Sequence, residues 1–338
     1  MPLTEQQLTA IMNNHGLAGK ISTGEPITRG RAVLRPVSLL AERGEGGEGA
    51  EGGETGASLQ LLEKVTAAQA EPVENAMYRL FGGRKASLPK VFYNAYDALT
   101  EEGILLLEDL TPTHGNIADW NAPLEAEPVH RLLELIAGFH AEGWGERGLP
   151  LPQHLESLEK YLEHLGYVER DYAHFRQYYP FRLGAEEYSL YENSLRRLQE
   201  NAGGYIERIH ARRHTTILHG DLNACNVLYP AVPGAIPVLI DLEAVRIGLC
   251  TEDLVMLFVH DFYHGGAGTL EILRQYYGLL NAQVGSSYGW ELFMQDMQWS
   301  LMEGLFFPAK LLAHEGVQDE ELVWKSIQAL RGLLETVV

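Results

Sequence analysis

The sequence predicts an α+β chain in two lobes: a small antiparallel-sheet lobe over residues 1–110 and a large, mainly helical lobe over 111–338. Three observations carry this reading. The 338 residues exceed the length at which one hydrophobic core usually suffices. Short apolar-rich runs of strand length crowd the first 110 residues. From about Glu127 onward, apolar residues such as Leu132, Leu133, Ile136 and Phe139 recur at helical spacing.

The elements follow in order. Gly19 to Thr23 reads as a strand, and Ser22 to Arg31 as a turn-rich connection. Arg31–Leu40 and Ser58–Val65 read as two strands of a long hairpin. Pro36 predicts an edge position or a bulge for the first of them. Between the two lies an acidic glycine-rich loop, 42–56, with Glu42, Glu45, Glu48, Glu51 and Glu54 at every third position. Such a segment has nothing to bury and is expected to be a solvated, flexible loop. Residues 67–81 predict a helix stopped by Gly82-Gly83. Leu88–Ala98 and Gly103–Leu107 predict two more strands. Further helices are expected within 153–176, 185–212, 251–263, 267–282, 289–313 and 318–336. Thr216–Tyr229 and Ile236–Val245 interrupt them as a loop with short strands.

Composition excludes several classes. Apolar residues make up 46% and charged residues 21%, as in an ordinary globular protein. Against 26 Lys and Arg stand 46 Asp and Glu, a formal charge of −20. Nucleic acid is not an expected partner, since phosphate recognition needs concentrated cations. Anionic membrane surfaces are excluded for the same reason. The charge favours a cationic small molecule. Two cysteines, Cys225 and Cys250, supply no disulfide framework and no CxxC zinc pair, so a reducing cytoplasm is the expected compartment. The N-terminal residues lack a basic segment followed by an apolar run. No apolar stretch approaches the roughly 18 residues of a membrane span.

The informative segment is His219-Gly220-Asp221-Leu222-Asn223-Ala224-Cys225-Asn226, followed by Ile240-Asp241-Leu242-Glu243. Phosphoryl transfer from ATP needs a carboxylate to position and deprotonate an alcohol, and oxygen ligands for magnesium. Asp221 suits the first role. Asn226, five residues on, offers a neutral amide oxygen, and Asp241 a charged ligand at the end of an apolar strand. Hard oxygen donors suit Mg2+. Turn, cap and strand-end roles are the structural alternatives for these three residues.

These motifs resemble those of the aminoglycoside phosphotransferase and choline kinase-like superfamily, which has a protein-kinase-like fold. Its pattern H-G-D-x-x-x-x-N, followed by a strand ending I-D, is matched at His219, Gly220, Asp221, Asn226 and Asp241. Gly220 stands where protein kinases carry Arg, and no DFG occurs, which points to small-molecule kinases. The resemblance implies that residues 1–110 form a nucleotide-binding lobe, with a hinge at about 107–111, and that 111–338 form the catalytic and substrate-binding lobe.

A kinase also needs a strand lysine for the nucleotide phosphates and a helix glutamate to orient it. Of Lys20, Lys64, Lys85 and Lys90, only Lys64 ends an apolar strand that leads into a helix. Glu74, four residues before Tyr78, is the candidate partner, with Glu71 as competitor. Leu105-Leu106-Leu107-Glu108-Asp109-Leu110 is similar to the family hinge, so the adenine edge is expected at the backbone of Glu108, Asp109 and Leu110. For the phosphate-covering loop, five glutamates weigh against 42–56. Ser22, Thr23, Gly24 and Gly30, beside Arg29 and Arg31, suit anions better. His219 is expected to brace the catalytic loop, and His140 to be structural. Asp253 has two readings, a catalytic-loop support and a carboxylate at a helix N-terminus.

For the acceptor, Trp299 and Glu303 at helical spacing offer an aromatic face and a carboxylate for an ammonium, although aromatics at that spacing are more often core. Phe306 and Phe307 follow on the same stretch. Asp261, with His260 and His264, is a second candidate cluster. The role of Glu243 is left open. The expected function is an ATP-dependent phosphotransferase, with GTP not excluded as donor, acting with Mg2+ on a hydroxyl of an aminoglycoside-like, amino-sugar or choline-like molecule. The alternative is a non-catalytic nucleotide-binding or interaction module of the same fold.

Overall fold

The computed structural model describes residues 2–29, 31–41, 58–81, 87–116, 126–179, 183–231, 236–259, 267–285, 287–313 and 320–337. The acidic loop 42–56 lies outside them. The chain divides into two compact units, Met1–Asn116 with Leu228–Glu243, and Ile117–Val227 with Ala244–Val338.

The first unit opens with a helix that the strand-and-turn reading did not anticipate, α1 (Glu5–Asn14). Its start is written locally as Thr4-x-x-Gln7. The Gln7 N–H donates to the Thr4 hydroxyl at 3.3 Å, and the Gln7 side chain accepts from the Thr4 N–H at 2.8 Å. Leu8 and Met12, one turn apart, are buried with Leu3 against Ile21, Val37, Leu39, Leu61, Phe92 and Leu106 of the sheet.

That sheet contains β1 (Gly19–Thr23), β2 (Ile27–Arg29), β3 (Ala32–Ala41), β4 (Ser58–Ala67), β5 (Val91–Asp97) and β6 (Glu102–Glu108). Its order is β1-β3-β4-β6-β5, with β2 also against β3. The hairpin of β3 and β4 pairs antiparallel from Ala32↔Thr66 to Leu40↔Ser58. Pro36 is not at an edge: β3 has neighbours on both sides. The missing N–H falls where β1 has ended at Thr23 and β2 has not begun, and Gly24 N–H donates to the Pro36 carbonyl there at 2.9 Å.

The helix expected from residue 67 begins later, as α2 (Val73–Phe81). Thr66 and Ala67 remain in β4, paired with Gly103 and Glu102, and Pro72 stands immediately before the helix. A three-stranded sheet of β7 (His114–Asn116), β9 (Val227–Pro230) and β10 (Val238–Leu239) carries the chain towards Asp241.

The second unit is mainly helical. It contains α3 (Ala126–Glu142), α4 (Leu158–Tyr178), α5 (Ala185–His210), α6 (Cys250–Leu257), α7 (Ala267–Val284), α8 (Trp290–Gly304), α9 (Phe306–Ala313) and α10 (Glu320–Val337), with the short pair β8 (Thr216–Leu218) and β11 (Arg246–Gly248). The helix expected over 289–313 is two helices. Pro308 has no N–H to return to the Gly304 carbonyl, and the chain breaks there. The helix expected over 251–263 is α6, which ends at Leu257. Among the described residues no helix is long and apolar enough to cross a membrane.

Candidate active site

In the first unit, Lys64 projects from β4 and is nearly buried, at 8% exposed. Its Nζ lies 2.7 Å from Glu74 Oε2, 2.8 Å from Glu243 Oε1 and 3.8 Å from Asp241 Oδ1. Glu71 pairs instead with Arg79. Burial alone would lower the Lys64 pKa, but Glu74 and Glu243 outweigh it and hold the ammonium above its ordinary value. Burial raises the Glu74 carboxyl, partly offset by Lys64. Burial, and then the Glu74 charge, keep the Tyr78 hydroxyl neutral.

Glu74 is held by the docking of α2. Glu74, Met77, Tyr78 and Phe81 form one buried face. Asn75 then fixes the helix to the sheet, donating to Asn94 Oδ1 at 3.0 Å and to the Ala95 carbonyl at 3.1 Å. The neighbour of Lys64, Glu63, points to the opposite face of β4 and is fully buried. There it pairs with its cross-strand partner Arg35 at 2.6 Å and accepts the Leu3 N–H at 2.5 Å. A polar neighbour therefore does not displace Lys64, because alternate residues of a strand see different surroundings.

Asp241 follows β10 with φ +61°, a left-handed conformation that Asp tolerates better than most residues. The turn Leu242–Ala244 comes next. Leu242 is fully buried, while Asp241 and Glu243 on either side of it are about half exposed, at 52% and 48% of their side chains. The role left open for Glu243 in the sequence is thus a direct contact with Lys64.

At the end of β6, the Glu108 N–H donates to the Lys90 carbonyl at 2.8 Å and the Asp109 N–H to the Gln60 carbonyl at 3.0 Å. The Asp109 carboxylate closes a turn, accepting from the Thr111 N–H at 2.9 Å and its hydroxyl at 2.7 Å. The Leu110 carbonyl accepts from Thr113 and His114. Ser22 and Thr23 lie in β1 and Arg29 in β2, while Gly30 is outside the described residues.

In the second unit, β8 delivers His219-Gly220-Asp221, and β11 runs antiparallel beside it, Leu218 opposite Arg246. Asp253, in the first turn of α6, accepts the His219 N–H at 2.7 Å, the Gly220 N–H at 2.9 Å and His140 Nε2 at 3.0 Å. Its two sequence readings describe one residue. Burial raises its carboxyl, but His140 and the other surrounding donors and cations more than reverse this and hold it below the ordinary range. His140 is completely buried, and its Nδ1 is 2.6 Å from the Tyr276 hydroxyl.

Gly220 has φ +82°, and a Cβ there would meet the Ala244 carbonyl oxygen at 2.1 Å. No larger residue fits between His219 and Asp221 without moving the loop. Asp221 itself is exposed. Asn226 Nδ2 donates to its main-chain carbonyl at 2.7 Å and to Oδ2 at 3.2 Å. Asn223 supports the same turn, accepting the Cys225 N–H at 2.9 Å and donating to the Asp221 carbonyl at 3.2 Å.

Asp221 lines a cavity of about 500 Å3 within this unit. Glu303 lines it too, and its carboxyl is pushed up to about 7, by burial first and then by the Glu252 charge. The Tyr161 hydroxyl donates to it. Arg246, which also lines the cavity, pairs with Glu252 at 2.7 Å. Trp299 is not part of the lining; its ring stacks on Tyr205, which is, at 4.8 Å. Phe306 and Phe307 are also in the lining. Asp261, with His260 and His264, lies outside the described residues. The Arg246–Glu252 pair and the Tyr161–Glu303 contact carry no signature in the sequence, because no local pattern marks side chains that meet across three helices and a strand.

The sequence profile of the phosphotransferase enzyme family matches residues 51–290, more than half of the chain. No curated protein matches the chain by sequence. Solved structures resemble it at low identity. A candidate aminoglycoside phosphotransferase from Ralstonia eutropha JMP134 is 14% identical, with a TM-score of 0.57 over 99% of this chain and 97% of its own. Plasmodium vivax ethanolamine kinase is 11% identical, with a TM-score of 0.51 over 100% of this chain and 93% of its own. An amicoumacin kinase, solved with AMP-PNP and Ca2+, is 10% identical, with a TM-score of 0.50 over 98% and 96%. At these identities the likeness shows the fold, a two-lobed kinase-like α+β architecture. The chain belongs to the phosphotransferase enzyme family and is a small-molecule phosphotransferase.

Proposed function

We propose that the chain transfers the γ-phosphoryl group of ATP to a hydroxyl of a small amine-bearing alcohol, the broad class spanning aminoglycosides, amino-sugars and choline-like amines. One observation carries the reading: exposed Asp221 sits on a loop bolted by Asp253 and opens on a cavity of about 500 Å3. Asp221 orients the acceptor hydroxyl and takes its proton. The acceptor oxygen forms a bond to the γ-phosphorus as the bond to the bridging oxygen breaks, and ADP leaves with that electron pair. Lys64, held by Glu74, binds nucleotide phosphate oxygens. The backbone of Glu108, Asp109 and Leu110 receives the adenine edge.

Asn226 and Asp241 would hold Mg2+, which when bound neutralises phosphate charge. The donor set fits that ion. Asn226 donates through its amide nitrogen, which keeps the amide oxygen for a ligand, and Asp241 is an exposed carboxylate. Among the described residues no group of three or more His, Cys, Asp or Glu forms a metal cluster, and Mg2+ needs none, since it keeps water and phosphate in its shell. His219 supports the loop through its main chain. Cys225 and Cys250 form no disulfide, in keeping with a cytoplasmic enzyme.

Asp221→Asn tests the reading. ADP formation should fall by about 10²–10⁴-fold while nucleotide still binds. Turnover at the wild-type rate would remove Asp221 from that role, and absence of ADP formation by the wild type with every acceptor would favour the non-catalytic alternative. The same assay with GTP in place of ATP identifies the donor.

A further inference from the structure

The cavity in front of Asp221 is walled by rings rather than by carboxylates alone. His154 and His164 lie with ring centroids 4.7 Å apart and planes 32° apart. Both line the cavity, as does Tyr205. Tyr161 stands behind them, 6.4 Å from His164 and 5.2 Å from Tyr205. Trp299 backs Tyr205 in turn. His154, His164 and Tyr205 thus bring three rings to the lining, with Tyr161 and Trp299 supporting them from behind.

Their surroundings favour the neutral form of both imidazoles. Burial, and then the neighbouring His164 and Arg246, push His154 down to about 4. Burial, and then Lys310, lower His164 as well. An uncharged imidazole is a flat, polarisable surface, suited to stacking.

The wall carries a small net negative charge: Asp171, Asp221, Glu252 and Glu303, the last with its carboxyl pushed up to about 7, stand against Arg246 and Lys310. Glu252 is paired with Arg246, Glu303 is bonded by Tyr161, and Lys310 adds a positive charge against Asp171 and Asp221. A polycation would meet Arg246 and Lys310 with few carboxylates to spare. One amine is accommodated without that repulsion.

Resting on the transferase reading above, we propose that the acceptor is an alcohol with a flat, uncharged unsaturated ring and at most one amine. Its ring lies against His154, His164 and Tyr205, and its hydroxyl is directed to Asp221. This selects one part of the amine-bearing alcohols and excludes the polycationic amino-sugars.

The test compares three acceptors by ADP release with ATP and Mg2+: 2-amino-1-phenyl-1,3-propanediol, choline and kanamycin. The aryl diol should give a kcat/KM about tenfold above the other two, the size of one or two aromatic contacts. His164→Lys should raise KM for the aryl diol about five- to tenfold with kcat within about twofold, and His164→Phe should restore KM. Equal or better turnover of kanamycin or choline overturns the inference, and so does the absence of any stimulation by the aryl diol. Asp221→Asn separates the two levels. If it abolishes transfer to kanamycin or choline, the transferase reading stands and only the ring is wrong. If transfer survives in it, the role of Asp221 falls.

Discussion

Glu243 Oε1 stands 2.8 Å from Lys64 Nζ, while Asp241 Oδ1 is 3.8 Å away. Together with Glu74 at 2.7 Å, Glu243 therefore occupies the lysine that the nucleotide phosphates would require. The Glu243 side chain is 48% exposed, so its hold on the ammonium is modest, about 0.2–1 kcal/mol for such a pair. Glu243→Gln should tighten ATP binding by up to about fivefold, measured by titration calorimetry. Weaker binding would instead make Glu243 a ligand of the nucleotide–metal complex.

Gly220→Ala combines a left-handed backbone with a contact at 2.1 Å to Ala244. Expected are a loss of about 2–4 kcal/mol in denaturant unfolding and a larger proportional loss of kcat than of ATP affinity. A variant of wild-type stability and activity would mean that the loop has an alternative path.

Glu303 links pH to stability. Its carboxyl is pushed up to about 7 in the folded chain, above the unfolded value near 4.3. The stabilisation that goes with its protonated form is complete below the unfolded pKa and is lost as pH rises through 7. Glu303→Gln keeps a neutral amide there at every pH. The variant should gain on wild type by about 1–2 kcal/mol between pH 5 and pH 8 in chemical denaturation. A difference that stays constant with pH would show that Glu303 does not titrate in this window.

Glu63 and Arg35 tie the first residues of the chain to the sheet. Arg35→Ala would leave the Glu63 charge buried with one main-chain N–H as partner, at a cost of about 3–5 kcal/mol. Adding Glu63→Leu should recover most of that loss, because the charge itself is then gone. If the double variant is as unstable as the single one, the ion pair is not the source of the effect.

Features that depend on neighbouring residues were legible. The β3–β4 hairpin declares itself through two apolar runs around a glycine-rich loop. The His219-Gly220-Asp221 loop with Asn226, and Asp241 just after a short apolar strand, declare themselves through residue type and spacing. The capping box at Thr4 and Gln7 was equally local, but a helix of ten residues with little apolar content stands out only once it has a sheet to pack on. Pro36 misled because its edge preference holds for a continuous ladder, and here the neighbouring strand is interrupted at that very position.

By itself, the amino-acid sequence determined the fold class and the phosphotransferase motifs. Only the tertiary structure decided that Glu243 reaches Lys64 from 179 positions away, since 243 − 64 = 179. It alone decided that Glu63 is buried through its strand partner, and that His154, His164 and Tyr205 share one cavity wall. The physical reason is the range of the interactions. Backbone dihedrals, turns and side-chain periodicity are set within a few residues, whereas ion pairs and cavities are set by register and helix packing, which no local pattern encodes.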